Sequence, residues 1–252
     1  MQPGRLYLIP VALGEGDLAT VIPEQVRHIA ASLKTFIAEN PKTARHYLKF
    51  FGIATPIQEI RMFTLDKHTP AEELENLLAP ALAGEDVGLM SEAGCPAVAD
   101  PGARLVRLAH RWHVRVVPLV GPSSILLALM ASGMNGQRFV FHGYLPAGKA
   151  ERIKCIEELE TESRFKDQTQ IFIETPYRNR QLLADLVATC HSSTELCIAS
   201  NLTLTDEQIA TRTIGEWREN LPEVDRKPTV FLLYRKERQR GPGRPRQGGK
   251  SG

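Results

Sequence analysis

The chain has little with which to crosslink itself. Its four cysteines, Cys95, Cys155, Cys190 and Cys197, fall in no CxxC pair, which argues against a disulfide framework or a thiolate zinc site and predicts reduced thiols. The seven histidines form no HExxH or comparable ligand spacing, so no structural metal is expected. Aromatics make up only 6% of the chain, and no apolar run approaches the length of a membrane span. The N-terminus, Met1-Gln-Pro-Gly-Arg5, leads straight into a strand-like run, which predicts a cytoplasmic protein without a signal peptide. What remains is an ordinary balance, 42% hydrophobic and 24% charged, that suits one large or two modest soluble domains.

The net charge of +2 is unevenly placed. Seven Lys and Arg but a single acid, Glu237, lie from Arg235 onward, leaving 24 basic against 28 acidic residues in a mildly acidic body. Residues 236–252 are rich in Gly, Pro, Arg and Lys, a composition that cannot build a core and predicts a disordered basic tail. Such a tail could grip phosphates without sequence preference or stay solvated without a partner.

Short apolar runs alternate with helical patterns along the body. Strands are expected at 5–11, 35–38, 60–65, 87–90 and 114–120, with helices between them at 24–33, 42–51, 72–82 and from Ala103. Thr69 is the expected cap, and Pro70 the first residue, of the helix over 72–82. This order predicts a largely parallel, layered α/β sheet. Residues 138–142 read as a further strand, and Gly143-Tyr-Leu-Pro-Ala-Gly148 as a linker. A second α/β pattern follows to residue 235. The expected organisation is therefore 1–142, 143–235 and the tail 236–252, two α/β/α domains.

Gly14-Glu-Gly-Asp-Leu-Ala19 superficially matches the dinucleotide fingerprint GxGxxG/A, and Glu39 stands near the place of its ribose-binding acid. A helix should start at those glycines, yet Pro23 falls where its second turn would be. That disfavours a nicotinamide enzyme. More informative is Val87 to Gly102. A buried strand opens into the small-residue loop Ser91-Glu-Ala-Gly-Cys-Pro-Ala-Val-Ala99, with Glu92 and Asp100 its only carboxylates before Pro101. Loops of this kind at the carboxyl end of a parallel strand bind ligands. Gly121-Pro-Ser-Ser124 then opens an apolar helix, where free N–H groups and two hydroxyls suit an anion or a ribose. The same serine also suits a plain helix cap.

These landmarks resemble the tetrapyrrole methylase superfamily, most closely its branch that methylates the ribose 2′-oxygen of small-subunit ribosomal RNA. The matching runs are Leu6-Tyr-Leu-Ile-Pro10, Ser91 to Gly102, Val120-Gly-Pro-Ser-Ser124, Ala131-Ser-Gly133, Gly143-Tyr-Leu-Pro146 and Glu174-Thr-Pro-Tyr-Arg178. The resemblance implies a homodimeric methyltransferase with S-adenosyl-L-methionine between two domains, lined by Pro10, Glu92, Ala93, Gly94, Val98, Ser123, Ser124, Glu174 and Ala199. It implies ribosomal RNA or the small ribosomal subunit as partner. Methylation of a tetrapyrrole or other small molecule, or a non-catalytic regulatory role, are the alternatives.

The departures cluster on the acceptor side. The branch's Glu-Asp-Thr-Arg is here Glu39-Asn-Pro-Lys-Thr-Ala-Arg45, and its His-Glu-His-Asn-Glu is only Asp66-Lys-His68. Its Arg-Glu-Leu-Thr-Lys is Ser200-Asn-Leu-Thr-Leu204, without the two charges ahead of the leucine. Glu39, Asp66 and His68 are the candidate general bases, and Lys42, Arg45, Lys67 and Arg178 the candidate phosphate contacts.

Overall fold

A computed structural model describes residues 2–236, so the predicted tail, apart from Lys236, lies outside the described residues. The chain divides into two compact units, the first comprising Met1–Ala131 with Ala199–Ile209 and Lys227–Val230, the second Ser132–Ile198 with the remaining segments.

In the first unit, β1 (Arg5–Ile9) is followed by the single-turn helix α1 (Leu18–Val21), then α2 (Glu24–Ser32), β2 (Thr35–Ala38) and α3 (Pro41–Phe50). After these come β3 (Arg61–Thr64), α4 (Glu73–Leu82), β4 (Val87–Met90), α5 (Gly102–Arg111), β5 (Arg115–Pro118) and α6 (Ser124–Ser132). The sheet order is β3-β2-β4-β1-β5, and every pairing is parallel. Leu6 to Ile9 lie opposite Val87 to Met90, which are themselves opposite Thr35 to Ala38. The central β2 and β4 are buried along their whole length, as strands covered on both faces must be. Gly88 is required there, because a Cβ would come within 2.7 Å of both Ile9 and Phe36.

Two local expectations change. The helix over 73–82 has no side-chain cap. Thr69 instead accepts from the Asp66 N–H at 2.9 Å and donates to its carboxylate, closing a turn before the helix. The Gly14–Gly16 loop leads to α1, capped by Asp17, and Pro23 stands ahead of α2. The glycines therefore do not begin the long helix that a dinucleotide fingerprint needs.

The second unit holds β6 (Phe139–Tyr144), α7 (Lys149–Lys166), β7 (Thr169–Ile173), α8 (Asn179–Thr189), β8 (Glu195–Ser200), β9 (Gln208–Thr213), α9 (Ile214–Glu219) and β10 (Thr229–Tyr234), whose sheet order is β6-β7-β10-β8-β9. Because β6 pairs with β7, the change of unit falls at Ala131–Ser132, ahead of β6, and not at Gly143. The segment after Gly143 is the exit of that strand. Its apolar character resembles the preceding strands, so composition alone does not mark the break.

A buried ion pair organises this unit. Arg152 on α7 is 2% exposed and binds Asp185 of α8 through Nε at 2.8 Å and Nη2 at 2.6 Å. Its Nη1 donates to the carbonyls of Pro146 and Ala147. No helix among the described residues is long and apolar enough to cross a membrane. Removing one partner of a buried pair strands the other charge, so Asp185→Ala is expected to cost ~3–5 kcal/mol. Urea unfolding followed by circular dichroism measures that loss.

Candidate active site

The carboxyl ends of the first sheet converge on one edge. The chain leaves β2 toward β3 on one side and leaves β4 toward β5 on the other. Adjacent strands whose connections diverge in this way open a crevice beyond their ends, the usual ligand position in such sheets. Glu39 follows β2, and Ser91 and Glu92 follow β4.

Three contacts pin the loops around that edge. Val11, after β1, forms an antiparallel bridge with Gly94, its N–H donating to the Gly94 carbonyl at 3.0 Å. The buried Ser91 hydroxyl donates to the carbonyls of Ala93 and Gly94. Cys95 Sγ lies 3.4 Å from the Pro122 carbonyl. The loops after β4 and β5 thus meet, as a shared site within this unit requires. Gly121 packs against Pro10 so closely that a Cβ would come within 2.3 Å of the proline ring.

Asp100 has a structural task here. It accepts from the N–H groups of Ala97 at 2.8 Å and Gly102 at 2.7 Å, the second lying in the first turn of α5. Ala97 and Ala99 both take left-handed backbone angles, φ 66° and 57°, which cost energy for residues with a Cβ. A carboxylate that fixes the intervening N–H groups offsets that strain. Burial nevertheless pushes the Asp100 carboxyl above its ordinary value, against those two hydrogen bonds.

Glu39 is half-buried and its carboxyl is raised, first by burial, then by the negative charges of Glu92, Asp100 and Asp66, with Lys67 opposing. Asp66 shifts the other way. Its carboxylate is lowered chiefly by the His68 N–H, which donates to it at 2.7 Å, and by Thr69. The three base candidates therefore differ in kind. Glu39 is a raised carboxyl at the crevice, Asp66 a low one tied into a turn, and His68 an exposed residue whose backbone serves that turn.

Lys42, Arg45 and Lys67 are exposed. Among the remaining residues anticipated from sequence, Ala93 is exposed and Val98 is 46% exposed, an apolar surface on the loop. Ser123 and Ser124 are half-buried at the start of α6, where Leu127 N–H already donates to the Ser123 carbonyl. Ala199 is fully buried in β8. In the second unit, Glu174 and Arg178, given separate roles from sequence, bind each other at 2.5 Å, and Glu174 also accepts from the Thr175 N–H. Sequence reasoning missed a cavity of about 780 Å³ beside the crevice, between the Gly14–Gly16 loop and Asn40, Lys42, His46 and Tyr47 of the β2–α3 segment. Its one sequence signal is the spacing of Lys42 and His46, one helical turn apart.

The profile of the Tetrapyrrole (Corrin/Porphyrin) Methylases matches residues 5–217. The chain belongs to the tetrapyrrole methylase family. It is 34% identical over 213 residues, 84% of its length and 70% of the other protein's, to "Ribosomal RNA small subunit methyltransferase I" of Escherichia coli O157:H7. A protein of the same name from Xylella fastidiosa is 32% identical over 84% of the chain and 74% of its own. Among solved structures, the methyltransferase CobJ aligns with TM-score 0.61 at 18% identity, over 92% of this chain and 94% of its own. Uroporphyrin-III C-methyltransferase from Thermus thermophilus, complexed with S-adenosylhomocysteine, gives TM-score 0.55 at 18% identity over 92% and 97%.

The protein is thus an S-adenosylmethionine-dependent methyltransferase with the two-sheet α/β fold of that family. The first unit's loops fit the cofactor chemically. Backbone N–H groups and two hydroxyls at the start of α6 suit a carboxylate. Exposed apolar Val98 suits an aromatic base, and the carboxylates around Glu39 and Glu92 favour a sulfonium cation. Because Asp100 holds the loop's strained turn, Asp100→Ala is expected to lower stability by ~1–2 kcal/mol, as loss of a helix cap does. Titration calorimetry should show a matching loss of S-adenosylmethionine affinity, whereas Lys154→Ala on α7 should leave it unchanged.

Proposed function

We propose that this methyltransferase acts on a ribose 2′-oxygen of ribosomal RNA in the small subunit, in the cytoplasm. The resemblance to ribosomal RNA methyltransferases along most of the chain carries the reading. The basic surface of α3, which begins two residues beyond Glu39, supports it.

When bound, the cofactor supplies an electrophilic methyl group and a neutral thioether as leaving group. Pro10, Glu92, Ala93, Gly94, Val98, Ser123 and Ser124 hold it, with Ala199 contributing backbone. Glu174 orders the segment after β7 through Arg178 and the Thr175 N–H, so its contribution is to position that segment. Lys42, Arg45 and Lys67 hold acceptor phosphates, while Arg178 is engaged by Glu174. Glu39 would take the proton of the acceptor hydroxyl as its oxygen accepts the methyl group that the cofactor supplies. The raised Glu39 carboxyl is the better base, since a low-lying carboxylate such as Asp66 has little affinity for a proton. Asp66 and His68 shape the turn beside it.

Methyl transfer from labelled cofactor onto small ribosomal subunits from a strain lacking the protein tests the reading. Label recovered in ribose supports it. Label appearing only when a tetrapyrrole is offered points to a small-molecule acceptor, and cofactor binding without any turnover points to a regulatory protein. The Glu39→Gln enzyme is expected to lose ~10²–10⁴-fold in rate, with Asp66→Asn far milder. An acid with a raised value needs a higher pH to ionise, so kcat/KM for the cofactor should rise through a pH above the usual glutamate range. That limb should be missing in Glu39→Gln.

The same reading includes a homodimer. On α6, Leu126 is 51% and Met130 is 79% exposed at one-turn spacing, with Val120 75% exposed just before the helix. Such a face is unusual on a monomer, and a second copy of the chain is the proposed cover. Sedimentation velocity should find a dimer that Met130→Glu converts to monomer. A monomeric wild-type protein would refute this part of the reading.

A further inference from the structure

Helix α3 carries its charges and its apolar residues on opposite faces. Ala44, Tyr47 and Leu48 are buried, while Lys42, Arg45, His46 and Lys49 are exposed. Positions 42, 45, 46 and 49 recur at the three- and four-residue spacing of one helical face. The helix has no acidic residue, and Lys42, Arg45 and Lys49 make no ion pair among the described residues. A row of cations lacking carboxylate partners keeps its field for an external anion.

The cavity opens along this helix. Its opposite wall is the Gly14–Gly16 loop, and Asn40, Lys42, Thr43, His46 and Tyr47 form the near wall. At about 780 Å³ it has the size of a small-molecule site. Tyr47 is fixed in place, its hydroxyl donating to the Ala12 carbonyl at 3.4 Å. Burial and the nearby Glu15 charge raise that phenol, which keeps it a hydrogen-bond donor. His46 sits edge-on to the Tyr47 ring, with centroids 6.0 Å apart. Asn40 uses its side-chain oxygen to cap α3 at Lys42 and Thr43, so its amide N–H groups are the part available to a ligand.

We propose that this groove binds a single-stranded RNA segment next to the methylated nucleotide. Lys42 and Lys49 take successive phosphates along α3, and one unpaired base lies in the cavity against the His46 ring. The inference rests on the RNA reading above and adds where the strand runs. Three features favour a single strand over a duplex. The helix offers a line of charge about two turns long, the cavity is a partly open cleft with room for a planar group, and an exposed ring stands beside it. Those are the parts with which proteins bind unpaired nucleotides. Glu15, on the opposite wall, disfavours a phosphate inside the cavity and leaves it to the base.

Fluorescence anisotropy with a labelled oligouridylate of about 12 nucleotides tests the proposal, the affinity being followed against salt at pH 8. Each phosphate contact on a single strand contributes about 0.7 to the slope of log K against log salt. The double variant Lys42→Ala/Lys49→Ala should therefore lose about 1.4 of that slope, and affinity ~10- to 30-fold near 0.1 M salt. His46→Ala should lower affinity about tenfold while keeping the wild-type slope, because a stacking contact releases no counterions. Lys154→Ala should match wild type in both respects. All the altered side chains are exposed, and circular dichroism confirms that the variants fold.

The labelled-subunit assay on the same proteins separates the two levels of the reading. Ribose methylation by wild type, together with an unaltered affinity and slope in both α3 variants, would overturn the groove and leave the RNA reading standing. Absence of any RNA methylation by wild type would overturn the RNA reading and the groove with it. Ribose methylation with the predicted split between slope and affinity supports both.

Discussion

The backbone bridge between Val11 and Gly94 sets the spacing of the loops that follow β1 and β4. These loops belong to neighbouring parallel strands, and parallel pairing alone fixes only where they begin. Beyond the strand ends, small-residue segments would have much backbone freedom. Ser91 removes part of it by donating to the Ala93 and Gly94 carbonyls, and Asp100 removes more by holding the Ala97 and Gly102 N–H groups. Gly121 against Pro10 and Cys95 beside Pro122 extend the restraint to the loop after β5. A preordered wall of this kind lets binding energy go to the ligand and not to ordering the protein.

Charge is sorted around that wall. Glu92, Asp100 and Asp66 raise the cost of ionising Glu39 at the crevice, beyond what its burial imposes. A cationic sulfonium there would relieve the repulsion, whereas a phosphate would add to it. The cations stand beyond the acids, along α3. On the proposed reading, donor and acceptor would thus meet fields of opposite sign within one unit. The same crowding raises the proton affinity of Glu39, so a single electrostatic arrangement bears on cofactor attraction and on proton removal.

Much of the fold was legible, because the strands obey simple patterns. Val87–Met90 and Thr35–Ala38 are wholly apolar or small and became the two central strands. The boundary between units was misplaced because β6 reads as one more strand in the same alternation. Only its pairing with β7 assigns it to the second sheet. Thr69 looked like a helix cap because Pro70 follows it, yet the nearer Asp66 offered its carboxylate and N–H first. At the site, the structural task of Asp100 rests on its hydrogen bonds from the Ala97 and Gly102 N–H groups, which the sequence does not display. The influence of Glu92 on Glu39 was not legible either, since they lie 53 positions apart in sequence and a parallel crossover brings them together. Likewise Glu174 and Arg178 looked like two ligand contacts and are one ion pair.

One family fold serves methyltransferases named for tetrapyrroles and for ribosomal RNA, so acceptor choice cannot reside in the sheet. It must lie in groups that could change without disturbing the loop restraints. Helix α3 meets that condition. Its buried residues, Ala44, Tyr47 and Leu48, join the core with Phe36 and Ala38, while the cations of its exposed face make no ion pair among the described residues. Substituting that face alters the field beside Glu39 and little else. With few charges around Asp66 and Ser200, the proposed phosphate contacts would rest mainly on this helix. The physical trade is between a specific constellation of charges on several loops and a line of charge on one rigid element. On the proposed reading, such a line would hold a strand in register along its axis while the crevice presents one sugar to the methyl group.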